Sequence, residues 1–398
     1  MKKTLLTICL VWMCFSLSAQ KIIDLSGKWS FSIDRQDNGE KEKWFSHTLN
    51  DFINLPGSMP EKLKGDEVTA KTQWTGSLYD SSYYYNPYME KYRKEGNIKF
   101  PFFLTPDKHY VGAAWYQKEV NIPADWKGER ILLFLERPHI ETTVWVNGQK
   151  TGMQNSLCVP HQYDITRYVR PGKCTITIRV DNRIKEINVG PDSHSITDQT
   201  QGNWNGIVGR ICLQTTPKTY FDDIQIYPEP EQKLARVKVV IKGTGTAKVK
   251  LSAESFNTDK KHIVPAIQQE IKLNKGVTET EMVLPMGNDM LLWDEFHPAL
   301  YKLKAEVTNG KKTEIKEIQF GMRRFEIKGK WFYVNGRKTQ LRGTVENCDF
   351  PLTGYAPMDV ESWERVFRIC RSYGLNHMRF HSFCPPEAAF MAADRVGF

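Results

Sequence analysis

The stretch Thr339–Phe398, TQLRGTVENCDFPLTGYAPMDVESWERVFRICRSYGLNHMRFHSFCPPEAAFMAADRVGF, reads as strand, helix, strand, helix. The first strand is expected over residues 340–347. There Arg342, Thr344 and Glu346 alternate with Leu341, Gly343 and Val345, so polar side chains take one face and small or apolar ones the other. Asp359 is placed to cap a helix that carries Val360, Trp363, Val366, Phe367, Cys370 and Tyr373 at helical spacing. Gly374 is placed to stop it. A second strand over 376–383 puts His377, Arg379 and His381 on one face and Met378 and Phe380 on the other. Pro385, Pro386 and Glu387 open a second helix that Gly397 ends.

Two β-α units in tandem imply parallel strands joined by a right-handed crossover. Parallel strands buried on both faces are almost wholly apolar, yet each of these keeps a polar face. In a (β/α)8 barrel the apolar face meets the helices, and polar inward residues near strand C-termini form a ligand site. A buried polar network is the competing reading of the same residues. A buried Arg379 needs a partner, and Glu346 on the neighbouring strand is the candidate. Eight units close a barrel; this stretch supplies the first two, so a truncated barrel is expected.

Residues 1–19 carry Lys2 and Lys3, an apolar run from Leu5 to Leu17, and Ser18-Ala19. That pattern is a secretory signal peptide, too short for a membrane span, and it points to export into the periplasm. The chain of 398 residues has room for two or three domains. Its formal charge is +9, but lysine and arginine are scattered among acids and form no nucleic-acid-binding stripe. Six cysteines follow the leader: Cys158, Cys174, Cys212, Cys348, Cys370 and Cys384. None stands at tight metal spacing, so buried free thiols are expected and no metal or cofactor is called for. Cys348 and Cys384 both follow strand ends, where they can be neighbours, and with His377 and His381 close by a metal site is the minor alternative to free thiols.

Residues 20–217 hold many short strands punctuated by Gly and Pro, which suggests a jelly-roll sandwich. Asn147-Gly148 is a strong hairpin turn, and Ile176, Ile178 and Val180 line one strand face. Residues 57–110 are long, aperiodic and rich in aromatics: Trp74, Tyr79, Tyr83, Tyr84, Tyr85, Tyr88, Tyr92 and Phe102. These rings either stack on sugar C–H faces or pack a loop against the sandwich. Seven strand-like runs within 218–322 fit an immunoglobulin-like sandwich without an intersheet disulfide. Residues 323–398 then begin the barrel.

Local strings carry a resemblance. They are Trp115-Tyr116 with Ile122-Pro123, Thr143-Val144-Trp145-Val146-Asn147-Gly148, Asp164-Ile165-Thr166, Trp204-Asn205-Gly206-Ile207, Phe320-Gly321-Met322-Arg323, Leu341-Arg342-Gly343 and Asn376-His377-Met378-Arg379. In this order the chain resembles the family 2 glycoside hydrolases, which include β-galactosidases, β-glucuronidases and β-mannosidases. The resemblance implies a multidomain, mostly β chain: jelly roll, immunoglobulin-like sandwich, then the start of a TIM barrel. It implies an exported retaining glycosidase acting on terminal β-linked sugars, with both catalytic carboxylates beyond residue 398 and none in this chain. Sugar contacts carry over to Glu346, Asn347, Arg379, His381 and Trp204. The implied partner is a carbohydrate, with no nucleic acid, no membrane span, and room for a homo-oligomer. The sequence departs from the family where Asn347-Cys348 stands in place of a His-Glu pair, and where His381 is shifted from the usual histidine. A non-catalytic carbohydrate-binding protein built from two sandwiches is the alternative.

Overall fold

The computed structural model describes residues 20–69, 71–76, 85–99, 106–185, 193–198, 201–350 and 352–398. Residues 1–19, expected to be a signal peptide, and Tyr79, Tyr83, Tyr84 and Phe102 lie outside the described residues. The chain is mostly β, and its strands gather around separate cores.

The first body has two sheets. One runs in the order Ile22–Asp24, Gly206–Thr216, Arg130–His139, His161–Asp164, with Gly57–Ser58 paired to Gly206–Thr216. The other runs Gln149–Asn155, Glu141–Val146, Gly172–Asp181, Ala113–Ile122, Gly27–Asp34, Asp51–Leu55. Ile176, Ile178 and Val180 meet Leu133, Leu135 and Leu213 in the shared core, as their alternation requires. Asn147 and Gly148 both hold positive φ, at 50° and 77°, and join paired residues Val146 and Gln149. That is the two-residue turn whose twist suits a hairpin. Part of the outer face of the second sheet is also buried. There Trp115 and Trp145 stack at 5.0 Å, and Trp44, Phe45 and Leu49 cover them.

The seven runs expected over 222–320 appear as five strands. Leu234–Phe256 and Ile263–Pro285 form one long hairpin, kinked where its register shifts between Gly243 and Gly245. Gly243 has no room for a side chain, since a Cβ would sit 2.5 Å from the Thr219 hydroxyl. Both halves of the hairpin feed one core with Tyr301, Leu303, Ala305 and Val307. The runs merge because a bulge bends a strand without ending its ladder.

After a three-stranded sheet of Phe325–Lys328, Trp331–Val334 and Arg337–Thr339 comes the β-α segment. Strands Gly343–Glu346 and His377–Phe380 are parallel, joined by helix α1 (Val360–Ser372) and followed by helix α2 (Glu387–Val396). The Asp359 side chain accepts from the Ser362 amide at 2.8 Å, which satisfies a free N–H of the first turn of α1. At the other end Gly374 donates to Arg371 O at 2.8 Å and Leu375 donates to Cys370 O at 3.1 Å, the Schellman pair that a left-handed glycine allows. Trp363, Phe367, Ala388, Ala389 and Ala392 form the core between the helices and the strands.

The register corrects one expectation. Val345 pairs with Arg379, and Glu346 with Phe380. Val345 is 51% exposed and Arg379 is exposed, so these two share the open face. Glu346 goes with Phe380, which packs into the helix core. Glu346 and Arg379 therefore do not share a face. Among the described residues no carboxylate lies within ion-pair range of Arg379; its exposure removes the need for one.

The two parallel strands have no further neighbour among the described residues, and one face is open. In the 398-residue chain, amides of Gly343–Glu346 and His377–Phe380 should exchange with deuterium faster than those of Leu234–Phe256. Equal protection of both in a monomer would contradict this.

Candidate functional site

The C-terminal ends of the two parallel strands abut the first sandwich. The contact is organised by Asn203-Trp204-Asn205, just before strand Gly206–Thr216. Asn205 is fully buried; its amide donates to Gly112 O at 2.9 Å and Val180 O at 3.0 Å, and its carbonyl accepts from the Tyr116 hydroxyl at 2.8 Å. Asn203 donates to Thr75 Oγ1 at 2.9 Å and Asn182 O at 3.1 Å. Gly206 lets the chain pass the neighbouring strand, since a Cβ there would lie 2.5 Å from Gly57 O. With both flanking side chains turned into the sandwich, Trp204 is left to meet the β-α segment.

Its indole, 5% exposed, stacks on the His139 ring at 4.6 Å and 18° and meets the Tyr355 ring at 5.5 Å. Gly354, at φ 83°, brings its backbone against Trp204, where a Cβ would come within 3.2 Å. Tyr355 donates to Glu61 Oε2 at 3.0 Å, and Ser58 donates to Thr353 O. Gln201 Nε2 donates to the carbonyl of His381 at 2.6 Å, and the amide of His381 donates to Glu346 O at 2.8 Å. The His381 ring lies 5.1 Å from that of His194.

Two small cavities flank Trp204. The first, about 60 Å³, is lined by Arg137, His139, Cys158, Cys348, Tyr355 and Ser382 among others. The second, about 40 Å³, is lined by Lys108, His109, Asp198, Asn203, Asp349 and Gly354 among others. His139 Nε2 is buried without a hydrogen-bond partner among the described residues. Burial first, and then the Arg137 charge, hold the His139 imidazole down at about 3, so it is neutral at physiological pH. Desolvation first and the Glu346 carboxylate second push Asp349 up to about 6. His109 Nε2 lies 3.3 Å from Asp198 Oδ2, and Asp198 also accepts from the amides of Thr75 and Asn203. A charge-balanced, partly dry polar surface of this kind suits hydroxyl groups, which both donate and accept.

Of the five residues singled out from sequence, the fold brings Trp204, His381 and Glu346 to one junction. Glu346 Oε1 accepts from the Cys348 amide at 2.8 Å and so shapes the turn after its strand. Asn347 and Arg379 are exposed at the strand end and on the open face. His139, Tyr355, Gln201 and Arg137 were not foreseen. Tyr355 follows an irregular loop and His139 ends a buried strand, so no local spacing marks either. In the long aromatic loop, Trp74, Met89 and Tyr92 pack around Ile98, and Trp74 lies 4.6 Å from the His109 ring. Its described portion thus packs much of its own apolar surface, while Tyr85 and Tyr88 are exposed. Among the described residues all six cysteines are free, and Cys174 and Cys212 are the buried ones. No cluster of three metal-ligating side chains occurs among the described residues.

The chain belongs to glycosyl hydrolases family 2: its sugar binding domain model matches residues 22–217, and a second model of the family matches 219–323. A protein named putative beta-glucuronidase from Formosa agariphila is 27% identical over 74% of this chain and 35% of its own length. The beta-galactosidase large subunit of Latilactobacillus sakei is 22% identical over 93% of this chain and 58% of its own. A solved β-glucuronidase from Ruminococcus gnavus superposes with a TM-score of 0.68 at 20% identity, covering 95% of this chain and 58% of that one. The chain thus spans about half the length, or less, of these relatives.

Asp349 gives the junction a pH signature. Its folded pKa is raised, so the native state holds a proton that the unfolded chain loses, and stability falls as pH rises from about 4 to about 6. Asp349→Asn should therefore melt above the parent at pH near 8 and no higher than it at pH near 3.5. An identical offset at both pH values, read by calorimetry, would contradict the raised pKa.

Proposed function

We propose that this chain is the substrate-gripping, amino-terminal portion of an exported retaining glycosidase that cleaves terminal β-linked sugars. On this reading the two sandwiches are the jelly-roll and immunoglobulin-like modules of the family, and Gly343–Val396 is the start of the catalytic barrel. The observation that carries it is the junction itself. A sugar-binding-type sandwich places Trp204 and its cavities directly against the C-terminal ends of parallel strands, where barrel enzymes keep their sites. Membership of family 2 supports hydrolysis of O-glycosyl bonds. The leader at residues 1–19 supports export, with the periplasm as destination.

A retaining mechanism needs one carboxylate as nucleophile and one as acid/base, about 5–5.5 Å apart on opposite sides of the bond. Glu346 and Asp349 lie on a single strand end, and the Glu346 carboxylate is engaged with the Cys348 amide. We assign neither to that pair and place both catalytic carboxylates in barrel units outside these residues. Asn347, Arg379 and His381 would contact the sugar from the barrel side and Trp204 from the sandwich side, with Glu346 positioning Asn347 through the turn it holds. The relatives named above divide between β-glucuronidases and β-galactosidases, so uronides and galactosides are the sugars to try first.

The 398-residue chain should show no turnover of aryl β-glucuronides or β-galactosides, and a longer chain that completes eight units should hydrolyse one of them. In that longer chain, Arg379→Ala or His381→Ala should lower kcat/KM by tenfold or more, about 1–3 kcal/mol of transition-state binding, with little change in Tm. Early melting with normal activity per folded molecule would assign these side chains to the scaffold instead. Turnover by the 398-residue chain, abolished by Glu346→Gln, would overturn the placement of the carboxylates.

A further inference from the structure

The cavity beside Trp204 has a rim that the sugar-binding reading does not use. Arg137, from strand Arg130–His139, reaches across it and donates through Nη2 to the carbonyl of Cys384 at 2.7 Å. The same nitrogen lies 3.7 Å from the sulfur of Cys158. One guanidinium nitrogen thus holds both the sulfur of Cys158, in the first sandwich, and the backbone of Cys384, in the loop leaving the second parallel strand, whose own sulfur lies 3.6 Å from Pro385 O. Neither sits in a strand or helix: Cys158 follows the strand ending at Asn155, and Cys384 lies between Phe380 and Glu387. Their side chains can therefore swing without breaking a ladder. Cys384 is exposed to an incoming reagent and Cys158 is half-buried. Burial first and the nearby Cys158 second raise the Cys384 thiol above its ordinary value, and Arg137 offsets part of that, so its thiolate forms at mildly alkaline pH.

The remaining thiols are worse placed. Cys174 and Cys212 are buried within the sandwich. Cys370 lies on α1, and burial pushes the Cys348 thiol up to about 12, which leaves it inert as a nucleophile.

We propose that Cys158 and Cys384 form a reversible disulfide that ties the first sandwich to the β-α segment across the rim of the Trp204 cavity. The oxidant is a small-molecule disulfide, RSSR. Cys384, as thiolate beside Arg137, attacks one sulfur of RSSR to form a mixed disulfide and expel RS⁻. The Cys158 thiolate then attacks the Cys384 sulfur, closes the intramolecular bond and expels the second RS⁻. Two cysteine thiols lose two protons and two electrons in all, and RSSR becomes two RSH. The bond pins the loop directly after His381, whose backbone is already held by Gln201 and Glu346. It belongs to an oxidising compartment and opens in a reducing one. The pairing stands on this geometry and does not depend on which sugar, if any, the cleft takes.

The test is incubation of the folded chain with oxidised glutathione at mildly alkaline pH, digestion without reductant, and mass spectrometry of the peptides. A linked Cys158–Cys384 peptide pair should appear in most molecules, vanish with dithiothreitol and persist in Cys348→Ser. It should be absent from Cys158→Ser and Cys384→Ser. The oxidised parent should melt several degrees above the reduced one, and oxidation should not raise the Tm of Cys384→Ser. Glutathione adducts that stay on Cys384 with no linked peptide would overturn the proposal. So would linkage of Cys384 to Cys348. Both results are readable in the parent and Cys348→Ser even if the other two variants fold poorly.

Discussion

The cluster of His139 stacked on Trp204, with Tyr355 tilted against the same indole, is the contact on which the junction depends. Aromatic rings meeting at 4.6 Å and 5.5 Å bury large apolar faces and also fix an angle, so they set where two bodies sit relative to each other. The cluster is held from below by polar groups with little freedom. Asn205 uses both amide hydrogens and its carbonyl inside the sandwich, and a buried amide left unpaired is costly. The backbone of Trp204 is consequently anchored on both sides, and Ser58, Glu61 and Gln201 add hydrogen bonds from the same sandwich to Thr353, Tyr355 and His381. Binding energy for any ligand at this junction is not drained into ordering Trp204, because folding has already immobilised it.

The features legible in the sequence were those that local chemistry determines. Asn147-Gly148 turned where two left-handed residues permit a hairpin, Asp359 capped α1, and Gly374 ended it. The alternation of Ile176, Ile178 and Val180 named their buried face because one layer of core lies under that strand. What stayed hidden was set by partners far away in the chain. The offset of two parallel strands is fixed by a crossover and its packing, not by a turn, so Arg379 came to rest beside Val345 instead of Glu346. The kink at Gly243–Gly245 read as a strand break, although the ladder continues through it. Trp204 could be picked out by resemblance, but nothing near it announced Tyr355 as its partner, since that contact joins a sandwich loop to the turn before α1.

The second body is more than a spacer. Trp293 Nε1 donates to Asp394 O at 2.7 Å, Asn257 donates to Arg395 O at 2.9 Å, and Arg371 of α1 donates to Glu295 O at 2.6 Å. The first two bonds take up carbonyls near the end of α2, where a helix has no internal donors left to offer, and the third ties α1 to the second body beside it. At the opposite end of α2, Glu387 faces Arg210 of the first sandwich at 3.3 Å, a carboxylate at a helix N-terminus met by a cation.

Helix α2 is thus gripped at its start by one body and at its finish by the other. That arrangement has a bearing on the order of synthesis. Both gripping bodies precede α2 in the chain, and domains fold as units, the N-terminal ones first as the chain emerges. The newly emerging strand-helix pairs therefore meet a preformed mould, with hydrogen-bond partners for the helix at both ends. A parallel sheet is among the slower structures to assemble unaided, because its pairings are distant in sequence. Here the distance is spanned by a scaffold that is already rigid when the first pairing is made.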